Sequence, residues 1–237
     1  MTKDNVTIRF APDGFSFIDC PDATSAQFDE APFHEVSPGP DFQQRLHEAV
    51  LEALPESEAP LDLTVQIHSS RVVVLPPDTE FELAASMYRT TFTEAPEAEQ
   101  VLLQPLMLPS GQQVTLCFGI DRSLYLFLER NFGELHFEHH LATLLLEGAR
   151  ATSGNTLVVR TDEQFLQVAL FRLGQLALVN VYRTSQADNR RYYVLNTWIR
   201  EGLDQLNDHL LILGKGNPAS QLHQDLRPFI KQTLLQY

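Results

Sequence analysis

Positive charge is what this sequence has least of. Lysine and arginine total 17 against 31 aspartates and glutamates, a formal net charge of −14. Phosphate backbones need a basic face, so a nucleic-acid binder is disfavoured, and an anionic membrane surface is disfavoured for the same reason. No uninterrupted apolar run approaches the roughly 18–20 residues that span a bilayer. The opening MTKDNVTIRF lacks the apolar centre of a secretion signal. Cysteine is scarce too. Cys20 and Cys117 lie far apart in apolar, strand-like runs and read as two buried, reduced thiols of a cytoplasmic protein. There is no His-Glu-x-x-His helix, no Gly-x-Ser-x-Gly elbow and no Gly-x-x-x-x-Gly-Lys-Ser/Thr loop, which removes the motifs of zincins, α/β-hydrolases and P-loop enzymes.

What is present is an ordinary soluble composition, 43% hydrophobic and 20% charged over 237 residues, enough for one larger domain or two small ones. Val6–Phe10 and Phe15–Cys20 flank Pro12-Asp13-Gly14 and read as a hairpin, with a third strand at Pro32–Val36. Asp41 is positioned to cap a helix carrying Phe42, Leu46, Val50, Leu51 and Leu54 on one face, and LDLTVQI and RVVVL follow as strands. Asp78 is expected to cap a helix to about Thr90. A hairpin turns at Pro109-Ser110-Gly111, and Asp121 caps SLYLFLERNF. A strand at Glu134–Phe137 and another helix close this part. After Ser153-Gly154-Asn155 comes a second meander, Thr156–Arg160, Gln164–Phe171 and Leu176–Arg183, with Gly174 in its second turn. A long helix from about Asn189 to Gly202, the strand HLLIL, a Gly-Lys-Gly turn and a helix from Ala219 to about Phe229 complete the reading. Strand clusters alternating with single helices predict an α/β fold with mixed sheets.

Two halves that each open on a strand meander, followed by helix, strand and helix, resemble the duplicated actin-like ATPase, ribonuclease H-like superfamily. Within it the chain resembles an uncharacterised bacterial family of unknown function, related to actin-like proteins of pilus assembly and type II secretion. The segments that carry the likeness are IRFAPDGFSF, VTLCFGIDRSLYLFLERNF, RRYYVLNTWIREGL and LLILGKG. The resemblance implies two halves around a cleft, residues 1–154 with an inserted strand-helix region and residues 155–237.

In active members each meander opens on a strand ending in Asp-x-Gly. The Asp helps to hold hydrated Mg²⁺, and the Gly lets backbone amides approach phosphate, as in other anion nests. The matching positions here are Arg9-Phe10-Ala11 and Arg160-Thr161-Asp162, so an arginine stands for each carboxylate and neither glycine is kept. At ~5 Å and an effective dielectric of about 20, each unit charge is worth roughly 3 kcal/mol against a monovalent charge, and about double against Mg²⁺. Hydrolysis of ATP by the usual route is therefore not expected. Asp13 and Asp162 lie close by as relocated carboxylates, which keeps an ATPase or small-molecule kinase as the third choice. The adenine-side signature falls at Gly214-Lys215-Gly216, where a flexible turn after a strand is the plain explanation. Should a nucleotide bind, Lys215 and the two arginines would meet its phosphates without metal.

Three other groups compete with bland explanations. His136-Phe137-Glu138-His139-His140 has few of the features of a metal site and reads as a solvated strand end. His68-Ser69-Ser70 and Ser185 suggest a nucleophile but have no identifiable base. Tyr192 and Tyr193 are adjacent on one helix, so only one of them can pack fully inward, and an exposed tyrosine near arginines is an interface feature. The leading expectation is a cytoplasmic, non-catalytic actin-like protein that binds a protein partner and has no metal or cofactor. A regulatory protein that binds a nucleotide or anion through Arg9, Arg160 and Lys215 is the alternative. Self-association is left open.

Overall fold

The computed structural model describes residues 5–18, 31–37, 39, 41–54, 62–94, 99–151, 154–214 and 216–236. In chain order the elements are β1 (Asn5–Ala11), β2 (Gly14–Ile18), β3 (Phe33–Glu35), α1 (Phe42–Ala53), β4 (Asp62–Ile67), β5 (Val72–Leu75), α2 (Phe81–Thr91), β6 (Glu99–Met107), β7 (Gln113–Asp121), α3 (Arg122–Asn131), β8 (Leu135–His139) and α4 (Leu141–Ala151). The rest comprises β9 (Asn155–Thr161), β10 (Phe165–Arg172), β11 (Gln175–Arg183), α5 (Ala187–Arg200), β12 (His209–Leu213), α6 (Asn217–Leu226) and β13 (Gln232–Gln236).

Two five-stranded sheets repeat one topology, β3-β2-β1-β4-β8 and β11-β10-β9-β12-β13. In each, an antiparallel meander supplies three strands and two parallel strands follow on the side of the first. This is the mixed α/β fold that the strand pattern predicts. A third sheet, β5-β7-β6, is covered by α2 through Ala84, Ala85 and Tyr88. The chain falls into two compact units, Met1–Pro105 with Thr115–His140, and Leu106–Val114 with Leu141–Tyr237. The tip of the β6–β7 hairpin belongs to the second unit. There the Gln112 side chain exchanges two hydrogen bonds with the backbone of Leu176 on β11, at 2.7 and 3.3 Å.

Core formation follows the alternation of the strands. In the first unit β1 and β4 are apolar on their inward positions, with Ile8, Leu63 and Val65 fully buried, and α1 adds Leu46 and Val50. In the second, β9 and β10 are buried on both faces, as sheets covered by helices on two sides require. Trp198 and Val194 of α5 and Leu222 and Leu226 of α6 close the core over them. Burying Trp198 alone stabilises this unit by roughly 2–3 kcal/mol.

Several local expectations need correction. Asp121 does cap α3, accepting from the amides of Ser123 and Leu124. Asp41 precedes α1 without a side-chain capping bond. Asp78 is not a cap at all. It sits at φ 61° in the turn before α2, whose N-cap is Glu80. The chain also does not finish on a helix, because Gln232–Gln236 forms a parallel edge strand, β13, beside β12. Cys117 is a free, buried thiol whose pKa burial pushes up to about 11. Cys20 lies outside the described residues.

Candidate functional site: the two meander turns

The turn from β9 to β10 carries Arg160 and Asp162, two of the positions singled out from the sequence. It is closed by its own carboxylate. Asp162 Oδ1 accepts from the amides of Gln164 and Phe165, both at 2.8 Å, while the Asp162 amide donates to the Phe165 carbonyl at 3.1 Å. Two backbone amides of this turn are thus satisfied by a negative group of the chain itself. On the carbonyl side, the guanidinium of Arg190 donates to the Asp162 and Glu163 oxygens at 2.6 and 3.0 Å. Arg190 projects from α5 and is 5% exposed, so it fastens the turn to the helix behind it. Arg160, the arginine in place of the metal-side carboxylate, pairs with Glu147 of α4.

The β1–β2 turn is fixed differently. The Asp13 carbonyl accepts from the Val36 amide at 2.8 Å, and β3 lies directly against the turn. A side chain at Gly14 would run into the His34 carbonyl oxygen. This glycine therefore serves strand packing. Arg9 bonds through Nε to Oε1 of the buried Gln66 at 2.7 Å, a contact across the parallel β1–β4 pair.

The remaining predicted positions lie in the second unit. Gly214 follows β12 and donates to the Gln236 carbonyl at 3.1 Å. Its φ is +128°, and a Cβ there would approach the Thr161 carbonyl at 3.3 Å. Gly216, at φ +84°, is the N-cap of α6. Because Leu213 registers with Arg160, the structure brings Arg160, Asp162 and Gly214 to the C-terminal ends of the neighbouring inner strands β9 and β12. Arg9 and Asp13 belong to the other unit. Lys215 lies outside the described residues.

One cluster escaped the sequence reading. His139 and His140 do not form a solvated strand end, since they are 0% and 4% exposed; only His136 is exposed. Parallel pairing of β4 with β8 places Ile67 beside His139. The residues just past β4 then meet the end of β8. The His68 and His140 rings stand 4.0 Å apart, His139 and His140 4.6 Å. His140 Nε2 contacts the Ser69 carbonyl at 2.9 Å, and Ser69 Oγ lies 3.4 Å from His139 Nε2. Burial, followed by the proximity of His68, pushes the His139 pKa down to about 3 and holds His140 well below 6.5. Among the described residues no three His, Cys, Asp or Glu side chains form a metal-binding group. The sequence reading ends this strand at Phe137, and only the parallel pairing of β4 with β8 brings His139 to the residues that follow β4.

The chain belongs to the family described as "Protein of unknown function (DUF3822)", whose profile matches residues 1–233. It is similar to a protein of unknown function with an actin-like ATPase fold from Bacteroides thetaiotaomicron VPI-5482, at 24% identity and a TM-score of 0.74, over 99% of this chain and 91% of that one. It is also similar to a chain of the PilM–PilN type IV pilus biogenesis complex, at 15% identity and a TM-score of 0.52, over 98% and 88% of the two chains. The cytoplasmic domain of EpsL, from the type II secretion system of Vibrio cholerae, aligns at 12% identity with a TM-score of 0.40 over 96% of each chain, too distant to carry an argument. No curated protein sequence matches. The fold is that of the actin-like ATPases, as the resemblance predicts. Among the described residues no helix is long and apolar enough to cross a membrane.

Proposed function

We propose that this chain is a non-catalytic member of the actin-like fold that acts in the cytoplasm by binding a protein partner. The observation that carries the reading is the β9–β10 turn, where Asp162 occupies the amides that would otherwise face a phosphate. Arg160, engaged with Glu147, and Gly14, packed under β3, agree with it. A chain of the PilM–PilN type IV pilus biogenesis complex shares this fold and occurs in a protein complex, and the proposal extends complex formation to this chain. The repeated sheet order supports a duplication.

Thermal unfolding with and without Mg²⁺, ATP and ADP tests the proposal. A ligand at a hundredfold excess over its Kd stabilises the native state by about 2.7 kcal/mol. No shift at millimolar nucleotide, and no turnover above background, is the expected outcome. A clear upward shift that disappears in the double variant Arg9→Ala and Arg160→Ala would replace it with the nucleotide- or anion-binding alternative.

A further inference from the structure

The buried histidines occupy a place between two sheets of the first unit. His139 is the last residue of β8. Its ring packs on Phe118 of β7 at 5.3 Å, and its amide donates to Oε1 of Gln104 on β6 at 2.9 Å. The link from β4 to β5 consists of residues 68–71 and supplies both His68 and Ser69. Each strand of the third sheet therefore meets the end of the first sheet at this cluster, β6 through Gln104, β7 through Phe118 and β5 through the link.

The charges that act on His139 and His140 are cationic. His68 acts on both from the end of β4, and Arg9 acts on His140 from β1. The Ser69 carbonyl can only accept, so its contact at 2.9 Å fixes one proton on His140 Nε2. A second proton on that ring must enter beside two imidazoles, 4.0 and 4.6 Å away, in a site that is 4% exposed. The carboxylates of β6 and β8 are directed elsewhere. Glu99 accepts from Arg71 and Tyr88, Glu138 alternates to the face of β8 opposite His139, and Glu134, just before β8, pairs with the exposed His136.

We propose that this cluster is a proton-operated joint, at which acid parts the end of β8 and the β4–β5 link from the third sheet while the sheets on either side stay folded. Opening breaks the few contacts named here, whereas melting a sheet breaks its whole ladder and core, so the joint yields first. Below the ordinary value of 6.5 the opened joint takes up protons that the closed one excludes, and acid favours opening. For His139, held at about 3, the opening equilibrium at pH 5 rises about thirtyfold over its value at pH 7.5, and His140 adds in the same direction. The joint is separate from the protein-binding function and does not rest on it.

The test is native-state amide exchange of the full chain, resolved by residue with NMR and corrected for the intrinsic rate at each pH. The amides of His139 and His140, bonded to Gln104 Oε1 and to the Ile67 carbonyl, report on the joint. Their protection should fall at least thirtyfold from pH 7.5 to pH 5. At pH 5 it should be insensitive to urea well below the unfolding midpoint, because a local opening exposes little surface. The amides of Val65 on β4 and Leu116 on β7, each on the central part of an inner strand, should be better protected and steeply urea-dependent. His139→Phe keeps a ring on Phe118 but takes no proton, and should reduce the fall at least tenfold. Where unfolding at pH 7.5 shows that variant to be misfolded, His140→Gln, which keeps a donor for the Ser69 carbonyl, carries the same expectation. His136→Gln should leave the fall unchanged. Protection of the two amides independent of pH would overturn the proposal. So would a fall as steeply urea-dependent as that of Val65, which marks global unfolding, or one that neither variant reduces.

Discussion

The two sheets share an order of strands but not a way of finishing them. In the first, the meander turn is held by backbone packing, with Gly14 under His34 and the Asp13 carbonyl on Val36. In the second, side chains do the holding, with Asp162 inside the turn and Arg190 behind it. The fourth strand runs into His68 in the first sheet and into Gly214 in the second. The difference teaches that a repeated topology constrains strand pairing and helix placement, whereas the loops at the strand ends are free to take any chemistry that satisfies their own polar groups. The two turns satisfy their own polar groups by unrelated routes.

The largest contrast lies in the response to acid. His139 and His140 are kept neutral in the fold by burial, with His68 adding to the effect. Below the ordinary value of 6.5 the unfolded chain therefore binds protons that the native chain does not, and stability falls as pH falls. The loss begins near 6.5 and, for His139, continues to about 3. Above about pH 7 the two groups contribute no slope. Between about pH 7.5 and 5 each should remove roughly 2 kcal/mol of unfolding free energy. Urea unfolding at the two pH values should show the combined loss, and His140→Asn should reduce the pH dependence by about half. A pH dependence unchanged by His140→Asn would show that the first sheet's strand ends are not the acid-labile part.

The glycines give the next contrast. Gly14→Ala forces a methyl into backbone that β3 supplies, which should cost about 3 kcal/mol. Gly214→Ala meets the Thr161 carbonyl at 3.3 Å from a φ of +128°, so strain dominates and roughly 1–2 kcal/mol is expected. Equal losses by denaturant titration would mean that both turns are backbone-limited, and the distinction drawn between them would fail.

Strand patterning made most of this fold readable. TLVVR, QFLQVALF and LALVNVYR carry their own periodicity and turn residues, and the observed β9, β10 and β11 match them to within a residue or two. Features that depend on distant pairing were not readable. The burial of His139 arises because β8 lies parallel to β4, and nothing local distinguishes that residue from the exposed His136. Arg190 is similar. An arginine in the first turns of a polar helix ordinarily faces water, and only the carbonyls of the β9–β10 turn bring this one inside. β13 was missed because a short edge strand has little alternation and depends on β12 for its hydrogen bonds. At the candidate site, the substitution of arginine for both carboxylates was visible in sequence, but the partners Gln66 and Glu147 were not.

The smallest expected effect separates two roles for Asp162. As the anchor of its turn, this carboxylate accepts two amides, and hydrogen bonds to a charged acceptor are about twice as strong as neutral ones. Asp162→Asn keeps an oxygen in the same place but removes the charge, so it should lower the unfolding free energy by about 1 kcal/mol. Asp162→Ala removes the acceptor and should cost more. A relocated metal ligand behaves otherwise, because without metal its charge is a burden and amide substitution relieves it. Chemical denaturation of both variants with and without Mg²⁺ distinguishes the two. The anchor role predicts the same ordered loss in either condition. A variant as stable as the parent without Mg²⁺, and less stable only with it, would return Asp162 to the metal and reopen the catalytic alternative for the second turn.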